Sequence, residues 1–516
     1  MKHSILMLIS LLCSNACMGI DLNHQDNDQE VGYRKATPKP GGALPSFHYM
    51  IGVSGSNFRN EGETSLKKTY TITKPGTYTL VQDIGSSNDS TTTTIGGQTA
   101  IHIKSSDVVI DFGGRTLYQA GTDINIDGIE TDINLRNITL KNWTIAGFKG
   151  HGIIVNYGCD DIKLQNLTVS NCVGPAIYLK GTATTNQDVS DIVIDNCIVT
   201  HTTGKTDVDA VALQIDYGWN IVASNSIFSR SISAADDAYG VKMIGTNIVF
   251  DNCDTAGNQG VNAYGFYSST EFRSSTFEDC NASGMYGTAG GAYGFYADGG
   301  NGGTLINSKS IGHQGYNNGY GFYLNNSKYN KFENCYASYC RDTENASGNN
   351  SAGFYSNNGI GNSWNGCESM GNQGADNTGG NVSGFELAGT EQQSSWINCI
   401  SSSNGATAKS SATAHGFYIS STSASAYCQI RNCQAIANCS STSKAAYGFR
   451  DATATQTKNF FADNFAFGNT DAESPNNNNN YSVNIAAGVF NEAEAGVGGI
   501  LGLANIARYY NTSVKA

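Results

Sequence analysis

Gly321-Phe322-Tyr323 returns 32 residues on as Gly353-Phe354-Tyr355, and the repetition decides the fold. Further copies stand at Gly265-Phe266-Tyr267, Gly294-Phe295-Tyr296 and Gly416-Phe417-Tyr418, with altered forms at Gly384-Phe385-Glu386 and Gly448-Phe449-Arg450. Upstream the Phe slot becomes aliphatic: Ile101, Ile129, Ile153, Ile177, Leu213 and Val241. Successive slots lie 24 to 36 residues apart. A fixed phrase at a loose period signals a repeat architecture, in which each unit buries itself only against its neighbours.

Within a unit the apolar pattern has period two, as in Phe322-Tyr323-Leu324-Asn325 and Val241-Lys242-Met243, which predicts strands with one buried face. A second strand phrase follows about a dozen residues later. It reads Ile192-Val193-Ile194-Asp195-Asn196-Cys197, Ile248-Val249-Phe250-Asp251-Asn252-Cys253 and Phe332-Glu333-Asn334-Cys335. Later forms are Trp364-Asn365-Gly366-Cys367, Trp396-Ile397-Asn398-Cys399 and Ile430-Arg431-Asn432-Cys433. A weaker third strand comes next, for example Cys335-Tyr336-Ala337-Ser338. Gly, Asn, Ser and Asp fill the gaps, residues that tolerate turns and left-handed backbone.

Three short strands in about thirty residues describe one turn of a parallel β-helix. The opening Ile72-Thr73-Lys74-Pro75-Gly76-Thr77-Tyr78-Thr79-Leu80, followed by Val108-Val109-Ile110-Asp111-Phe112-Gly113-Gly114, strengthens that reading. The chain resembles the right-handed parallel β-helix proteins of pectin-lyase-like fold, over roughly residues 65 to 470. The resemblance implies an all-β solenoid of about thirteen coils with terminal caps. It implies no single activity, because that family includes lyases, hydrolases, adhesins and surface proteins.

Four segments are expected: a signal peptide at 1–16, a polar leader at 17–63, the β-helix at 64–470, and an Asn-rich linker with a C-terminal cap at 471–516. Lys2 and His3 precede an apolar run from Ile5 to Cys13, and Ser14-Asn15-Ala16 supplies a small-x-small cleavage site, the pattern of an export signal. The run is too short to span a bilayer. Cys17 directly follows, which makes it a candidate for a lipid anchor. A net charge of −13 disfavours nucleic acid as a partner, since that needs a basic face.

Fourteen cysteines in an exported chain invite a disulfide framework. Six of them, Cys197, Cys253, Cys335, Cys367, Cys399 and Cys433, instead share one slot of the repeat, filled elsewhere by Leu167 or Ser308. That exchange fits a small buried side chain, the habit of free Cys in a core. The remaining Cys159, Cys172, Cys280, Cys340, Cys428 and Cys439 leave room for one or two bridges. No Cys-x-x-Cys occurs, so a zinc site is not expected. The Asn of the same phrase marks a turn where amides stack from coil to coil.

Chemistry has few places to sit. In the first strand the Tyr slot alternates with the inward Phe, so Tyr267, Tyr296, Tyr323, Tyr355 and Tyr418 are expected to form an outward stripe interrupted by Glu386. Such a stripe suits a platform for sugar rings, with Asp298, Asn325 and Asn357 as hydrogen-bond partners, or a stacking ladder that stabilises the sheet. Tyr239, Tyr264, Tyr293, Tyr320 and Tyr447 precede the Gly and read as packing at the turn. Galacturonan hydrolases of this fold use outer-face carboxylates with a Gly-His-Gly phrase, and Gly150-His151-Gly152, Asp160-Asp161 and Asp236-Asp237 match those parts in the wrong order. A lyase needs a Lys or Arg base beside Ca²⁺-binding carboxylates. Asp207, Asp209, Asp216, Asp236, Asp237 and Lys242 fall in two consecutive coils and offer one such patch. The reading is an exported surface or secreted protein that binds or displays, with a polysaccharide or cell-surface glycan as ligand. The alternative is a polysaccharide lyase or glycoside hydrolase with Asp236, Asp237, Lys242 and His151 as its weak candidates; no cofactor is expected other than Ca²⁺ in that case.

Overall fold

Strands one coil apart pair in parallel, and the pairing follows the repeated phrase: Phe322 lies opposite Phe354 and Tyr323 opposite Tyr355. The computed structural model describes residues 50–53, 69–80, 83–84, 99–119, 126–184, 187–269, 273–343, 350–374, 380–406, 413–420, 427–440, 446–452, 459–471 and 481–483. All belong to one compact unit, His48–Ala516. It is an all-β, right-handed parallel solenoid of about 12 turns. The expected signal peptide and Cys17 lie outside the described residues.

The first column of strands carries the repeated phrase and runs from Tyr70–Ile72 to Tyr481–Val483. The second begins where Met50–Val53 pairs with Gly76–Leu80, and the third ends at Phe465–Phe467. Strands Met50–Val53 and Tyr481–Val483 pair with the ladder from outside residues 64–470. Sequence reading missed a fourth column of two-residue strands, from Gln259–Gly260 to Thr470–Asp471. Two residues are too few to show a period.

The interior is a set of like-on-like stacks. Phe266, Phe295, Phe322, Phe354, Phe385, Phe417 and Phe449 form one unbroken column, with neighbouring centroids 4.7 to 4.9 Å apart. Second-column rings meet it edge-on, as Phe332 meets Phe322 at 86°. The Gly of the phrase has a steric cause. A Cβ on Gly353 would fall 2.1 Å from Ser369 Oγ, because first and third columns nearly touch there. Hence the facing third-column residues are small and buried: Ala282, Ser310, Ala337, Ser369, Ser401 and Ala435.

Corners are held by amides. Asn196, Asn252, Asn334, Asn398 and Asn432 take left-handed φ between 50° and 54° at the second-to-third corner. Asn432 Nδ2 donates to Asn398 Oδ1 at 2.7 Å, and Asn398 to Asn365 at 3.0 Å. In the Asn365 coil the left-handed place is taken by Gly366 (φ 64°) instead. The next residue turns inward. Cys197 Sγ–H reaches the Leu164 and Asp195 carbonyls at 3.4 Å, and burial pushes the Cys197 and Cys253 thiols up to about 12. Cys280 belongs to this column too; Asp279 in the Asn position hides it in the sequence. Every described cysteine is unbridged, so the bridges left open for Cys159, Cys172, Cys280, Cys340, Cys428 and Cys439 do not form. A second amide ladder, unforeseen, lines the third-to-fourth corner inside the core, from Asn372 through Asn404 and Asn438 to Asn469.

Candidate functional site on the outer tyrosine face

Two residues of the phrase, not one, point inward. A Cβ on Gly265 would meet Thr255 Oγ1 and Ala282 Cβ, both interior, and Phe266 is buried beside it. Tyr264 and Tyr267 therefore both lie on the outer side of the wall, on either side of the bend, Tyr264 buried and Tyr267 partly exposed, and their rings meet edge-on at 5.0 Å. Period-two alternation hid this, because it places Tyr264 on the same side as Phe266.

The outcome is a double row. Tyr267, Tyr296, Tyr323 and Tyr355 stack with centroids 5.1, 4.9 and 5.0 Å apart and planes within 13°. Alongside run Tyr239, Tyr264, Tyr293 and Tyr320, at 4.7, 5.0 and 5.7 Å. Within each row the ring faces cover one another, so a flat platform for sugar rings is not what the face presents. It presents hydroxyls and ring edges at one-coil spacing. Beside them Asn325 Nδ2 donates to Asp298 Oδ1 at 2.9 Å, and Asn357 Nδ2 to Asn325 Oδ1 at 3.0 Å. Burial is the main cause raising every phenol of the outer row above its ordinary range, and Asp298 adds to it for Tyr267, Tyr296 and Tyr323.

Tyr418 stands apart from that row. Its predecessor in the column is Glu386, which is buried and accepts from Ser383 and Ser420 hydroxyls at 2.9 and 3.2 Å. Burial raises Glu386 to about 7. Tyr418 stacks on the buried His415 ring at 4.1 Å. The Arg450 guanidinium sits over Tyr418 and Tyr447 at 5.2 and 4.8 Å, 3.5 Å from His415 Nε2. Burial first, then Arg450, holds His415 well below its usual range.

Some acidic candidates gather at the head of the tyrosine rows. Lys242 Nζ binds Asp209 at 2.8 Å and lies 4.8 Å over the Tyr239 ring, while Tyr239 donates to Asp237 at 3.1 Å. Asp237 also accepts from the Asn262 backbone and side chain. Asp236 is bound through its backbone to Ser233, and its Oδ2 is buried without a partner. Asp216 takes the Tyr178 hydroxyl at 2.6 Å. His151 is fixed by Asp127, through ring and backbone, at 2.8 and 2.7 Å, and its ring lies 5.6 Å from Tyr178. Its flanking Gly150 and Gly152 are sterically required, their Cβ positions meeting Asp127 and Val169. Asp160 and Asp161 head a second-column strand, where Asp161 pairs with Lys163 and Asp160 accepts from Ser190. Asp207 is an exposed turn residue at φ 65°. Among the described residues no group of three or more His, Cys, Asp or Glu is placed to hold a metal ion, and no helix is long and apolar enough to cross a membrane.

The family model described as right handed beta helix region matches residues 151–292. No curated protein matches the sequence. Among solved structures, the A-module of a mannuronan C-5 epimerase from Azotobacter vinelandii is similar at 12% identity with a TM-score of 0.32, over 81% of this chain and 91% of that one. A rhamnogalacturonan lyase is similar at 15% identity and a TM-score of 0.27, over 63% and 73%. A surface adhesin of Streptococcus pneumoniae is similar at 10% and 0.26, over 77% and 87%. At these scores the likenesses assign no activity.

Proposed function

We propose that the chain is an exported surface or secreted protein with a binding and display role, and that a glycan docks along the outer tyrosine face. The observation that carries this is the row Tyr267–Tyr296–Tyr323–Tyr355 running in register with Asp298–Asn325–Asn357. Hydroxyls and amides repeated at strand spacing, about 4.8 Å, offer a repeating polymer the same hydrogen bonds at every step. The ring edges give apolar contact between them. The test is retention on a glycan panel by the triple variant Tyr296→Phe, Tyr323→Phe, Tyr355→Phe, which keeps the stack and removes only hydroxyls. At about 0.5–1.5 kcal/mol per hydrogen bond, retention should weaken at least tenfold with melting unchanged. Undiminished retention would remove the row as the docking site. Anchoring through acylated Cys17 is part of this reading; Cys17→Ser should then abolish incorporation of labelled fatty acid.

A second reading, polysaccharide lyase or glycoside hydrolase, is favoured by Lys242 held between Asp209 and the Tyr239–Asp237 pair on the same face. A lysine on that face, once it has given up its proton, supplies the base that elimination at a uronate needs. New reducing ends or ultraviolet-absorbing unsaturated products from a glycan panel, lost in Lys242→Ala, would establish it. Their absence with and without Ca²⁺ leaves the binding role.

A further inference from the structure

The tyrosine rows have a property that glycan docking does not use. Adjacent phenols are held face to face at 4.7 to 5.1 Å over Tyr239–Tyr264, Tyr264–Tyr293, Tyr267–Tyr296, Tyr296–Tyr323 and Tyr323–Tyr355. Edge contacts near 5.0 Å join the rows at Tyr264–Tyr267 and Tyr293–Tyr296. An unpaired electron created on one ring is thus in contact with several others, and stacked π-systems share it. Two radicals one coil apart need no diffusion to meet, the situation in which fixed proximity raises coupling rates most.

Proton acceptors stand at the edge of the array. Oxidising a phenol releases its proton, and Tyr239 already donates to Asp237 at 3.1 Å. Asp298, flanking the other row, is close enough to disfavour negative charge on Tyr267, Tyr296 and Tyr323 at rest. The Lys242 ammonium over the Tyr239 ring disfavours a bare radical cation. Oxidation there is therefore tied to proton loss onto Asp237. No tyrosine of the two rows has a buried, unpartnered hydroxyl.

We propose that the tyrosine face is a covalent modification site, at which a peroxide-fed one-electron oxidant of peroxidase type closes dityrosine links between neighbouring coils. Two tyrosines each lose one electron and one proton. The two phenoxyl radicals join through ring carbons beside the hydroxyl, and each ring then returns its displaced ring hydrogen to oxygen. One hydrogen peroxide takes up the two electrons and two protons and leaves as two waters. The product is an intramolecular staple across successive turns, which would hold the tyrosine coils together after export. Pairs in the outer row, whose rings are partly exposed, are expected to react first.

The full chain is treated with horseradish peroxidase and limiting hydrogen peroxide, then digested and mapped by mass spectrometry. Expected are cross-linked peptides two hydrogens lighter than their sum, joining Tyr267 to Tyr296, Tyr296 to Tyr323 or Tyr323 to Tyr355. Tyr286, Tyr316, Tyr329, Tyr339 and Tyr427 are more exposed and serve as the internal control. Links distributed by exposure, or none between register neighbours, would overturn the proposal. Tyr296→Phe keeps the stack and should abolish both links to position 296 while leaving Tyr323–Tyr355; loss of all links, or of none, would also overturn it. Asp237→Asn, tested on the Tyr239–Tyr264 link, should lower its yield several-fold against Tyr323–Tyr355 in the same digest; an unchanged ratio removes the role of Asp237.

Discussion

Coils before residue 250 and coils after it solve the same packing problem with different side chains. Upstream the first column is Ile101, Ile129, Ile153, Ile177, Leu213 and Val241, and strands run on through corners as single elements such as Arg136–Ala146, Asp160–Ser170 and Ala210–Ser224. Downstream the column is phenylalanine, and the second and third strands shrink to three residues, as in Lys331–Glu333 and Tyr336–Ser338. Among the described residues the fourth column widens into two-residue strands there, having run upstream as single bridges at Val173–Thr203, Thr203–Ile232 and Ile232–Gln259, and the buried Asn ladder lies there too. Each corner interrupts the backbone ladder, and amide side chains supply the missing bonds. Aromatic content and polar interior thus arrive together.

The sharpest way to break this comparison is to remove one ring. Phe354 is stacked at 4.7 Å on both sides, by Phe322 and Phe385. Phe354→Ala should cost about 3–5 kcal/mol, against about 0.5–1.5 for Ile153→Val upstream. Denaturant unfolding followed separately by far-ultraviolet dichroism and tyrosine fluorescence would check it. A loss below about 1 kcal/mol for Phe354→Ala would mean the downstream core is loosely packed.

Acid response should separate the halves by sign. Glu386 is raised to about 7 by burial, above its unfolded value near 4.5. The folded chain therefore holds a proton that the unfolded chain has lost between those pH values. Its contribution is fully present below pH 4.5 and fades as pH rises through 7, by on the order of 3 kcal/mol at most. Asp111 upstream does the opposite. Burial works against its charged form, but bonds from Asn142, Gly113 and Lys141 outweigh it and keep the carboxyl below its ordinary range. Its stabilisation is present above the unfolded value and lost as acid is added. Glu386→Gln should flatten the fall in stability between pH 5 and 7, and Asp111→Asn should leave that window untouched. An unchanged slope in Glu386→Gln would show that the carboxyl is solvated.

The buried amides come next. Asn404 donates to Asn438 at 2.9 Å and accepts from Asn372 at 2.7 Å. Asn404→Ala leaves the buried Asn372 backbone N–H without its acceptor and removes the amide bonds to Asn372 and Asn438, which keep partners in Ser369 and Asn469, an effect of about 1–3 kcal/mol. The same corner upstream holds Thr202 and Ser231, joined by a single 2.7 Å bond. Thr202→Val should be the milder change, and equal losses would mean that the amide ladder adds nothing of its own.

How much of this could be read from letters depends on whether a feature repeats with a period. Phe322 and Phe354 fall on neighbouring rungs because their phrase recurs, and the six ladder cysteines were visible for the same reason. Cys280 escaped because Asp279 stands where Asn was expected. The two amide ladders are indistinguishable by residue type, and only the folded coil separates Asn398 at the surface from Asn404 in the core. At the candidate site the outward direction of Tyr267 was legible, whereas the bend at Gly265 that brings Tyr264 beside it was not. Nor did anything local announce that Arg450 meets His415 and Tyr418, since they come from different coils.

The smallest effect tests why Asn398 is there at all. It sits at φ 54° and links Asn365 to Asn432 through exposed amide bonds. If the backbone shape matters most, Asn398→Gly should change stability by a few tenths of a kcal/mol only, since Gly366 already fills that position one coil before. Asn398→Ala, forced into left-handed space, should cost roughly 1–2 kcal/mol. Exposed amide ladders add little of their own, because water competes for each bond. If thermal melting shows Gly and Ala equally damaging, the ladder and not the backbone angle sets the choice of Asn. The outer and inner amide columns would then stabilise the coils by the same means.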